Sequence, residues 1–431
     1  MQKGAFGLPE GTETVVLGVG DLNGIMRGKR IPASHWDTTC EDGNALSIAL
    51  FALDMTCDVW DTPYVNFGNG YPDFHMFPAT KPVPIPWEPG VAVCMGVALG
   101  KDHQPLPIDP RQALIRQLDR AKAMGLTINV GAELEFYLLD PETGLPKEQS
   151  IQVYGLVRAA RMEHVVGPIR QQINACGIPI EQSNPEYAPG QVEVNIRYGE
   201  ALEAADRVVL FRSLVKQLAL HEGYDATFMP KPFIDQSGSG FHCHYSVWKD
   251  GVNVFAEDGK LNEMGHHFLG GMKKRMAETA VCGGMTENGY RRRRPYTFCP
   301  INTCWGYDNR TVGLRVLEGK DSAVRVEKRD AGADANPYLL MATDIAAGLD
   351  GIEQKIDPGA PTMGDAYTVE DAEPIPTDLT TAIAAARGSD WLKSILGETQ
   401  YELMLQQCER ELEFVREQVT QVEIDRYKKN F

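Results

Sequence analysis

The segment from Gly238 to Trp248 places the strongest constraint on how this chain can fold. It begins with Gly-Ser-Gly, which leaves the backbone open to close approach, and then alternates in side-chain character as a β-strand does. His242, His244 and Ser246 therefore share one strand face, and apolar residues share the other. Burial of two histidines on one face costs free energy unless they contact a partner. The pattern indicates a binding site, with a solvated strand face as the alternative.

Two pairs of glutamates repeat this pattern elsewhere in the chain. Glu133 and Glu135 share a face within a strand that we expect at residues 128–139. Carboxylates side by side on a strand repel each other unless a cation lies between them. Glu186 and Glu193 flank a Pro-Gly turn, which would bring a second pair of carboxylates together. The sequence therefore predicts clustered carboxylates at two places.

A third group combines arginines with a fifth glutamate. Arg325, Glu327 and Arg329 share a face of another predicted strand, and Arg310 and Arg315 precede it. Arginines neutralise phosphates and bind carboxylates, often through two parallel hydrogen bonds. Each of these segments alone is also compatible with a solvated strand face or a structural salt bridge.

Five glutamates and a histidine together have the chemistry of a site for two metal ions. Mg²⁺ and Mn²⁺ bind carboxylate oxygens, and Mn²⁺ also accepts an imidazole nitrogen. Two such ions with nearby arginines are typical of phosphoryl transfer, in which catalysis depends on positioning and charge stabilisation. The presence of all these segments in one chain favours such a site over unrelated surface features.

Charge and cysteine usage narrow the possible partners and the compartment. The net charge of −17 disfavours nucleic acid and anionic membranes as partners and favours cationic substrates. No segment is apolar over the length needed to span a bilayer, and the first ten residues lack a signal-peptide pattern. Nine scattered cysteines without a Cys-x-x-Cys motif indicate reduced thiols and a cytoplasmic location.

Strand and helix patterns interleave along the chain without strict regularity. We therefore predict an α+β fold with two domains, at residues 1–109 and 110–431. A β-hairpin is expected within residues 14–31, a long helix at 203–222 and one charged amphipathic helix at 400–427.

Several motifs resemble, in the same order along the chain, those of the glutamine synthetase family. They are Glu-Leu-Glu-Phe at 133–136, Pro-Gly-Gln-Val-Glu at 189–193, Ala-Thr-Phe-Met-Pro-Lys-Pro at 226–232, Gly-Ser-Gly-Phe-His-Cys-His at 238–244 and the segment 309–315. The segments at 51–54, 305–312 and 331–339 are similar to one branch of that family, the γ-glutamylpolyamine synthetases, typified by glutamate–putrescine ligase.

This resemblance implies an architecture and a set of ligands. The expected fold is an N-terminal β-grasp domain followed by a larger catalytic domain with a half-barrel of antiparallel strands. The expected ligands are ATP, two or more Mg²⁺ or Mn²⁺ ions per site, L-glutamate and a primary amine. The family also forms rings, expected here as two stacked hexamers, in which each site lies between subunits.

The resemblance also implies a role for individual residues. The expected ligands of one metal ion are Glu135, Glu186 and Glu193, and those of the second are Glu133, His242 and Glu327. The expected ATP contacts are His244, Ser246, Arg315 and Arg325, and the expected glutamate contacts are Gly238, Arg292 and Arg329. Arg310 would contact the transferring phosphoryl group and form the catalytic set with Glu193 and Asp54. Asp54 would receive the amine in a neighbouring subunit's site, with Asp73 as a second acid.

Two positions depart from the glutamine synthetase pattern. Ser237 stands where the family has an asparagine, and Phe298 stands where it has a glutamate that closes over the ammonium ion. A buried carboxylate suits a small ammonium ion, whereas an aromatic ring offers an apolar or cation–π wall to an organic amine. Packing of a loop is the alternative role of Phe298.

The resemblance therefore implies an ATP-dependent ligase that forms a γ-glutamyl amide through γ-glutamyl phosphate. The expected acceptor is a diamine or polyamine such as putrescine. Alkylamines, arylamines and ethanolamine remain open, as does ammonia, the substrate of a true glutamine synthetase. A non-catalytic relative with a binding or structural role is an alternative of another class, and the six occupied metal-ligand positions argue against it.

Overall fold

The computed structural model describes residues 6–150 and 153–430; residues 1–5, 151–152 and 431, which belong to the two predicted domains, lie outside the described residues. The strands are β1 (Thr14–Gly20), β2 (Met26–Pro32), β3 (Asn44–Ser47), β4 (Asp73–Pro78), β5 (Val83–Pro84), β6 (Val91–Leu99), β7 (Thr127–Leu139), β8 (Ile180–Pro185), β9 (Gln191–Glu200), β10 (Asp225–Thr227), β11 (Phe241–Lys249), β12 (Val252–Asn253), β13 (Ala256–Glu257), β14 (Lys260–Leu261), β15 (Trp305–Tyr307), β16 (Leu314–Leu317) and β17 (Arg325–Lys328).

The helices are α1 (Trp36–Asp42), α2 (Pro110–Ala123), α3 (Leu156–Ala159), α4 (Glu163–Ala175), α5 (Ala201–His221), α6 (Glu263–Arg275), α7 (Glu287–Tyr290), α8 (Pro337–Gln354), α9 (Leu379–Arg387), α10 (Asp390–Leu396), α11 (Glu398–Arg416) and α12 (Gln421–Tyr427). Helices and largely antiparallel sheets occur together, in agreement with the predicted α+β class.

The N-terminal sheet has the strand order β2-β1-β6-β4-β3, with β5 paired to β6. The predicted hairpin is confirmed as β1 and β2, in which Gly18 lies opposite Gly28. A Cβ atom on Gly28 would lie 1.9 Å from the carbonyl oxygen of Leu17, so only glycine fits this crossing. Strands β1 and β6 are parallel, and the other pairs of this sheet are antiparallel. A β-grasp domain stays a prediction for this part.

The large sheet has the order β15-β16-β17-β11-β7-β9-β8, with β10 on β7 and β12 on β11. Its pairs are antiparallel, as the predicted half-barrel of antiparallel strands implies, except that β15 and β16 run parallel. The central strands are buried on both faces along most of their length. Helix α5 packs against β7 and against α8, so helices cover one face and leave the other for polar side chains.

Asn336 links the N-terminal part of the chain to the catalytic part. Its side-chain oxygen caps α8 by accepting hydrogen bonds from the backbone N–H groups of Tyr338 and Leu339. Its amide nitrogen donates to the carbonyl oxygens of Asp21 and Leu22, at 3.0 Å each. The N-terminal sheet ends before Pro110 and the large sheet begins after it. This division supports a domain boundary at residues 109 and 110, which we retain as a proposal.

The C-terminal segment differs from the single helix predicted at residues 400–427. Two helices, α11 and α12, replace it, because Thr420 and Glu423 form a reciprocal capping box that starts a new helix. The predicted helix at 203–222 is confirmed as α5. Among the described residues, no helix has both the length and the apolar character needed to cross a lipid bilayer.

Candidate active site

The polar faces identified in the sequence meet on neighbouring strands of the large sheet. On β7, Glu133 lies opposite His242 of β11 on one side and Asn195 of β9 on the other. Glu135 lies directly opposite Glu193 of β9. Directly opposed residues on adjacent strands project from the same face of a sheet. The register therefore places the predicted metal ligands of three strands on one surface.

Strands β17 and β16 extend this surface on the other side of β11. His244 pairs with Glu327 of β17, and Glu327 pairs with Arg315 of β16. Glu327 is fully buried, and it accepts hydrogen bonds from Arg315 at 3.0 Å and from Arg329. Burial alone would raise the pKa of Glu327, but Arg329, together with the histidines, lowers it to about 2. This carboxylate is therefore held in its charged form.

Glu133 lies between the two histidines of β11. Its Oε1 atom is 2.9 Å from His244 Nε2, and its Oε2 atom is 3.5 Å from His242 Nδ1. Burial opposes ionisation of Glu133, but the neighbouring rings of His244 and His242 lower its pKa below the usual range. Glu133 is therefore a charged carboxylate that faces two imidazoles.

Three of these side chains could hold a cation together. One ligand atom each from Glu133, His244 and Glu327 lie within 4.8 Å of one another. The Nε2 atom of His244 is buried without a hydrogen-bond partner, since its contact with Glu133 lacks hydrogen-bond geometry. His242 also lies 3.7 Å from Glu327, so both histidines border the same group of carboxylates. Carboxylate oxygens fit Mg²⁺ or Mn²⁺, and Mn²⁺ also accepts an imidazole nitrogen.

A second group of carboxylates surrounds Glu193. Burial and the carboxylates of Glu133, Glu135 and Glu186 raise the pKa of Glu193 to about 9. Burial and Glu135 raise the pKa of Glu186 to about 7, against a smaller opposing effect of the Arg310 guanidinium. The predicted Pro-Gly turn does bring Glu186 and Glu193 together. Such mutual repulsion is relieved by a bound cation, so this donor set also fits a divalent metal ion.

The Gly-Ser-Gly turn before β11 makes room for two functional side chains. A Cβ atom on Gly238 would lie 2.8 Å from Cγ of Arg292, and one on Gly240 would lie 2.8 Å from Nε2 of His242. The Arg292 guanidinium donates to the carbonyl oxygens of Asp330 (3.1 Å) and Ala331 (2.9 Å). The turn is therefore glycine-rich because an arginine and a histidine cross its backbone.

Glu135 is anchored to the same turn. Its Oε2 atom accepts a hydrogen bond from the backbone N–H of Gly240 at 2.9 Å. Gln191 bridges the two by donating to Glu135 Oε2 at 3.3 Å and to the carbonyl oxygen of Gly238 at 3.1 Å. The carboxylate cluster and the turn are thus held as one unit.

A cavity of about 330 Å³ lies beside the histidines. Three of the four predicted ATP contacts line it, namely His244, Ser246 and Arg325. The fourth, Arg315, instead contacts Glu327 and Asp308, the latter at 2.5 Å. Arg325 donates to Nδ1 of His244 at 3.2 Å.

Two aromatic residues that sequence reasoning missed also line this cavity. The rings of Tyr198 and Trp248 are nearly parallel, with centroids 6.1 Å apart and an interplanar angle of 18°. Trp248 Nε1 donates to Ser246 Oγ at 2.8 Å. Flat aromatic surfaces next to cationic side chains suit a ligand that has both a planar ring and phosphates.

Phe298 lies in a loop at the edge of the site. Its side chain is 56% exposed and its backbone has φ = 57°, while Tyr296 in the same loop has φ = 63°. The ring of Tyr296 packs against Tyr367 with centroids 5.3 Å apart, and the Tyr367 hydroxyl donates to the carbonyl oxygen of Cys299 at 3.1 Å. Burial raises the pKa of Tyr367 to about 12, against the opposing charge of Arg329. This loop is therefore adjacent to a predicted glutamate contact.

The two predicted amine-site acids of the N-terminal part have separate surroundings. Asp54 Oδ1 accepts hydrogen bonds from the backbone N–H groups of Thr56 and Asp58, and Arg410 lies 3.7 Å from its Oδ2 atom. The described contacts of Asp54 thus include none of the predicted metal or glutamate ligands. Asp73 is exposed at the start of β4, opposite Ser47.

The sequence is similar to those of several known proteins. A family model described as the catalytic domain of glutamine synthetase matches residues 107–427. A glutamate–isopropylamine ligase of a Pseudomonas species is 33% identical, over 89% of this chain and 88% of the relative. A γ-glutamylethanolamide synthetase of Streptomyces coelicolor is 35% identical, over 90% and 86%. A glutamine synthetase of Methanosarcina mazei is 35% identical, over 91% and 89%.

Solved structures agree with these matches. A complex of GmaS with ADP superposes with a TM-score of 0.87, at 30% sequence identity and with 97% of both chains covered. A structure described as a novel glutamine synthase homolog has a TM-score of 0.83 at 23% identity, which supports the fold alone.

Proposed function

The chain belongs to the glutamine synthetase family, and from this premise we propose that it joins the γ-carboxyl group of L-glutamate to an organic primary amine. It is an ATP-dependent γ-glutamyl ligase, an enzyme that forms carbon–nitrogen bonds. The observation that carries the proposal is the continuous row of carboxylates, histidines and arginines across β16, β17, β11, β7 and β9.

We propose that Gly238, Arg292 and Arg329 bind glutamate. Their place beside the carboxylate cluster supports this, because the γ-carboxylate would then lie near the nucleotide phosphates. The cavity lined by His244, Ser246 and Arg325 would take ATP. Divalent cations bound by the glutamates would supply charge neutralisation to the phosphates.

The proposed reaction has two steps. A γ-carboxylate oxygen of glutamate attacks the γ-phosphorus of ATP, which forms γ-glutamyl phosphate as the bond to ADP breaks. The deprotonated amine then attacks the acyl carbon, and inorganic phosphate leaves with the bonding electrons. Arg310 would stabilise the charge on the transferring phosphoryl group. Asp54 of a neighbouring subunit would accept the proton that the amine loses.

The acceptor is proposed to be an organic amine rather than ammonia. Phe298 stands where glutamine synthetases have a carboxylate that covers the ammonium ion. Its loop contacts Tyr367, which lies close to Arg329. Contact with an aromatic ring stabilises the binding of an alkyl group or an organic ammonium, and it stabilises the binding of ammonia much less. The names of two relatives, which specify isopropylamine and ethanolamide, support the same direction.

Among organic amines, we propose a diamine such as putrescine. Asp54 borders a cavity of about 340 Å³ in which one cation, Arg410, is outnumbered by acids of the loop, of α11 and of its C-terminal end. They are Asp58, Glu411, Glu413 and Glu417. If Asp54 enters a neighbouring site, these carboxylates would accompany it, and the second ammonium group of a diamine would find a favourable potential there. Monoamines would lack this interaction.

Glutamine synthesis from ammonia is the second candidate, because the relatives also include glutamine synthetases. A phosphate-release assay with ATP, Mg²⁺ and L-glutamate separates the two candidates. The acceptors to compare are putrescine, spermidine, ethanolamine, isopropylamine, aniline and ammonia. Turnover highest with putrescine supports the diamine proposal, and turnover highest with a monoamine replaces it. Turnover with ammonia alone excludes an organic acceptor, and no turnover with any acceptor, with Mn²⁺ also tried, favours a non-catalytic role.

A further inference from the structure

A cavity of about 580 Å³ lies between the N-terminal hairpin and helix α5, next to the cavity beside Asp54, with which it shares Met55 and Glu411. Its volume is within the range of roughly 300–1,000 Å³ that is typical of small-molecule sites. The residues that line it include Asn23 and Gly24 from the hairpin turn, Arg212 from α5 and Asp334 from the loop before α8. None of the residues assigned above to metal, ATP or glutamate lines it.

Arg212 is a buried cation that uses few of its hydrogen-bond donors. Its residue is 8% exposed, and one guanidinium nitrogen donates to the carbonyl oxygen of Ala335 at 2.8 Å. The Nε and Nη2 atoms have no hydrogen-bond partner. Burial lowers the pKa of Arg212 to about 10, so the charged form is held at a cost. Buried polar groups are almost always paired, so two donor nitrogens without partners on one guanidinium indicate a missing acceptor.

Acceptors without partners line the same cavity. Asp334 uses its Oδ2 atom to accept a hydrogen bond from Thr286 at 2.9 Å, whereas its Oδ1 atom has no partner. Asn23 donates to the carbonyl oxygen of Leu53 at 3.0 Å, and its Oδ1 atom also has no partner. Among the described residues, Asp334 and Arg212 form no direct ion pair. A carboxylate and a guanidinium thus face one cavity without contacting each other.

The rest of the lining gives the cavity a polarity. Lys216 lies one helical turn after Arg212 on α5, so both cations are on the same helix face. Glu411 of α11 adds a second carboxylate, and uncharged polar side chains form part of the wall. The apolar side chains of the lining include Met26, Met55, Val209, Phe228 and Met229. A ligand of this cavity therefore needs a negative group, a positive group close to it and an apolar extension.

We propose that this cavity binds a free α-amino acid with an apolar side chain. The α-carboxylate would accept hydrogen bonds from Arg212, the α-ammonium would donate to Asp334 and Asn23, and the side chain would pack against the methionines and Phe228. Charge-assisted hydrogen bonds of this kind are the strong ones. Because its lining comes from both the N-terminal and the catalytic parts, an occupied cavity would connect the two through the ligand.

Isothermal titration calorimetry with the full-length protein tests the proposal. L-leucine, L-methionine and L-phenylalanine are the probes, and 4-methylpentanoate and 3-methylbutylamine are leucine analogues that lack one charged group each. Saturating L-glutamate and putrescine are present throughout, so that the site of the ligase reaction is filled. We expect at least one of the three amino acids to bind, and both analogues to bind at least about threefold more weakly than leucine or not at all.

Variants connect that binding to the cavity. Asp334→Asn keeps the volume and removes the charge, and Arg212→Gln removes the guanidinium. Arg207→Gln is the matched control, because Arg207 lies on α5 outside the cavity and pairs with Glu203. Asp334→Asn should weaken amino-acid binding at least about threefold, and the control should not. If Arg212→Gln does not fold, Asp334→Asn alone decides.

The proposal is overturned if none of the three amino acids binds, or if either analogue binds as tightly as leucine. It is also overturned if Asp334→Asn, or an Arg212→Gln variant that folds, binds within about threefold of the unchanged protein. The readout is binding without turnover. Its failure is therefore distinguishable from failure of the proposed ligase activity.

Discussion

The Oε1 atom of Glu133 lies 2.9 Å from the Nε2 atom of His244, closer than either oxygen lies to His242. This geometry groups His244 with Glu133 and Glu327 as a possible cation site. The family resemblance instead implies His242 as the metal ligand and His244 as a phosphate contact. Both rings are buried beside the same carboxylates, so the assignment can be decided by substitution.

Asparagine substitutions should separate the roles of the two histidines. We expect His242→Asn to weaken Mn²⁺ binding at least about tenfold, because it removes a proposed metal ligand. His244→Asn should mainly raise the KM for ATP, because this ring lines the cavity that we propose for ATP. His221→Asn, at an exposed position at the end of α5, is the control. If Mn²⁺ binding is instead weakened in His244→Asn alone, the metal ion is assigned to the cluster of Glu133, His244 and Glu327.

The metal-free protein should lose stability as the pH rises from about 5 to about 9. The pKa of Glu193 is raised from 4.5 to about 9, and that of Glu186 from 4.5 to about 7. Over this range the folded state holds protons that the unfolded state has released, so the free energy of unfolding falls with rising pH. Mg²⁺ would replace those protons, and the increase in Tm that it produces should therefore grow with pH. Thermal unfolding with EDTA and with Mg²⁺ measures both effects.

Glu193→Gln is the variant that tests this cause. It removes the group with the larger shift, so the metal-free variant should have a higher Tm at pH 8 and a weaker dependence of Tm on pH. Glu200→Gln, at the exposed end of the same strand, is the matched control. An unchanged pH dependence in Glu193→Gln would show that other groups determine it.

Side-chain alternation predicted which residues of each strand share a face, and it did so for β7 and β11. It did not predict that His244 lies opposite Glu327, because β11 and β17 are neighbours in the sheet although they are distant in sequence. Trp248 continues the spacing of His242, His244 and Ser246, so its place in the proposed ATP cavity could have been predicted from the same pattern. No local pattern marks Tyr198, its stacking partner.

The C-terminal helices and the large cavity show a second limit. The Thr-x-x-Glu signal at Thr420 was available in the sequence and would have divided the tail into two helices. The sequence could not show that Arg212 and Asp334 each keep polar atoms without hydrogen-bond partners, because this depends on how the hairpin turn packs against α5. Patterns within one helix or strand can be predicted from the sequence. Contacts between elements that are distant in sequence can be seen only in the folded structure.

Phe298→Glu should change which acceptor the enzyme prefers. The carboxylate would favour ammonium and would remove the apolar wall from organic amines. We expect turnover with putrescine to fall at least about tenfold and turnover with ammonia to rise, since discrimination of this kind depends on pocket contacts. The ratio of kcat/KM values for the two amines measures the change. Tyr296→Glu, in the same exposed loop and also at positive φ, is the control for a general loop effect.

Equal losses for both amines in Phe298→Glu, or the same shift of preference in Tyr296→Glu, would mean that the Phe298 ring does not select the acceptor. Both residues have φ near 60°, so replacement of one non-glycine residue by another leaves the backbone cost nearly unchanged. A difference between the two variants therefore reports side-chain contacts.

Two inactive variants should restore activity to each other if the site is shared between subunits. Asp54→Ala removes the proposed amine acid, and Arg310→Ala removes the proposed phosphoryl contact, which lies near Glu186 in the loop between β15 and β16. In a mixed ring, an intact site forms where an Asp54→Ala subunit presents its catalytic face to the Asp54 of an Arg310→Ala neighbour. With random mixing of equal amounts, about a quarter of the sites are intact.

Co-expression of differently tagged chains, followed by an assay of phosphate release, measures the recovery. Arg310→Ala mixed with Arg315→Ala is the control, because both residues belong to one catalytic face and no intact pairing can form. Absence of recovery in the first mixture would mean that Asp54 acts within its own chain or not at all.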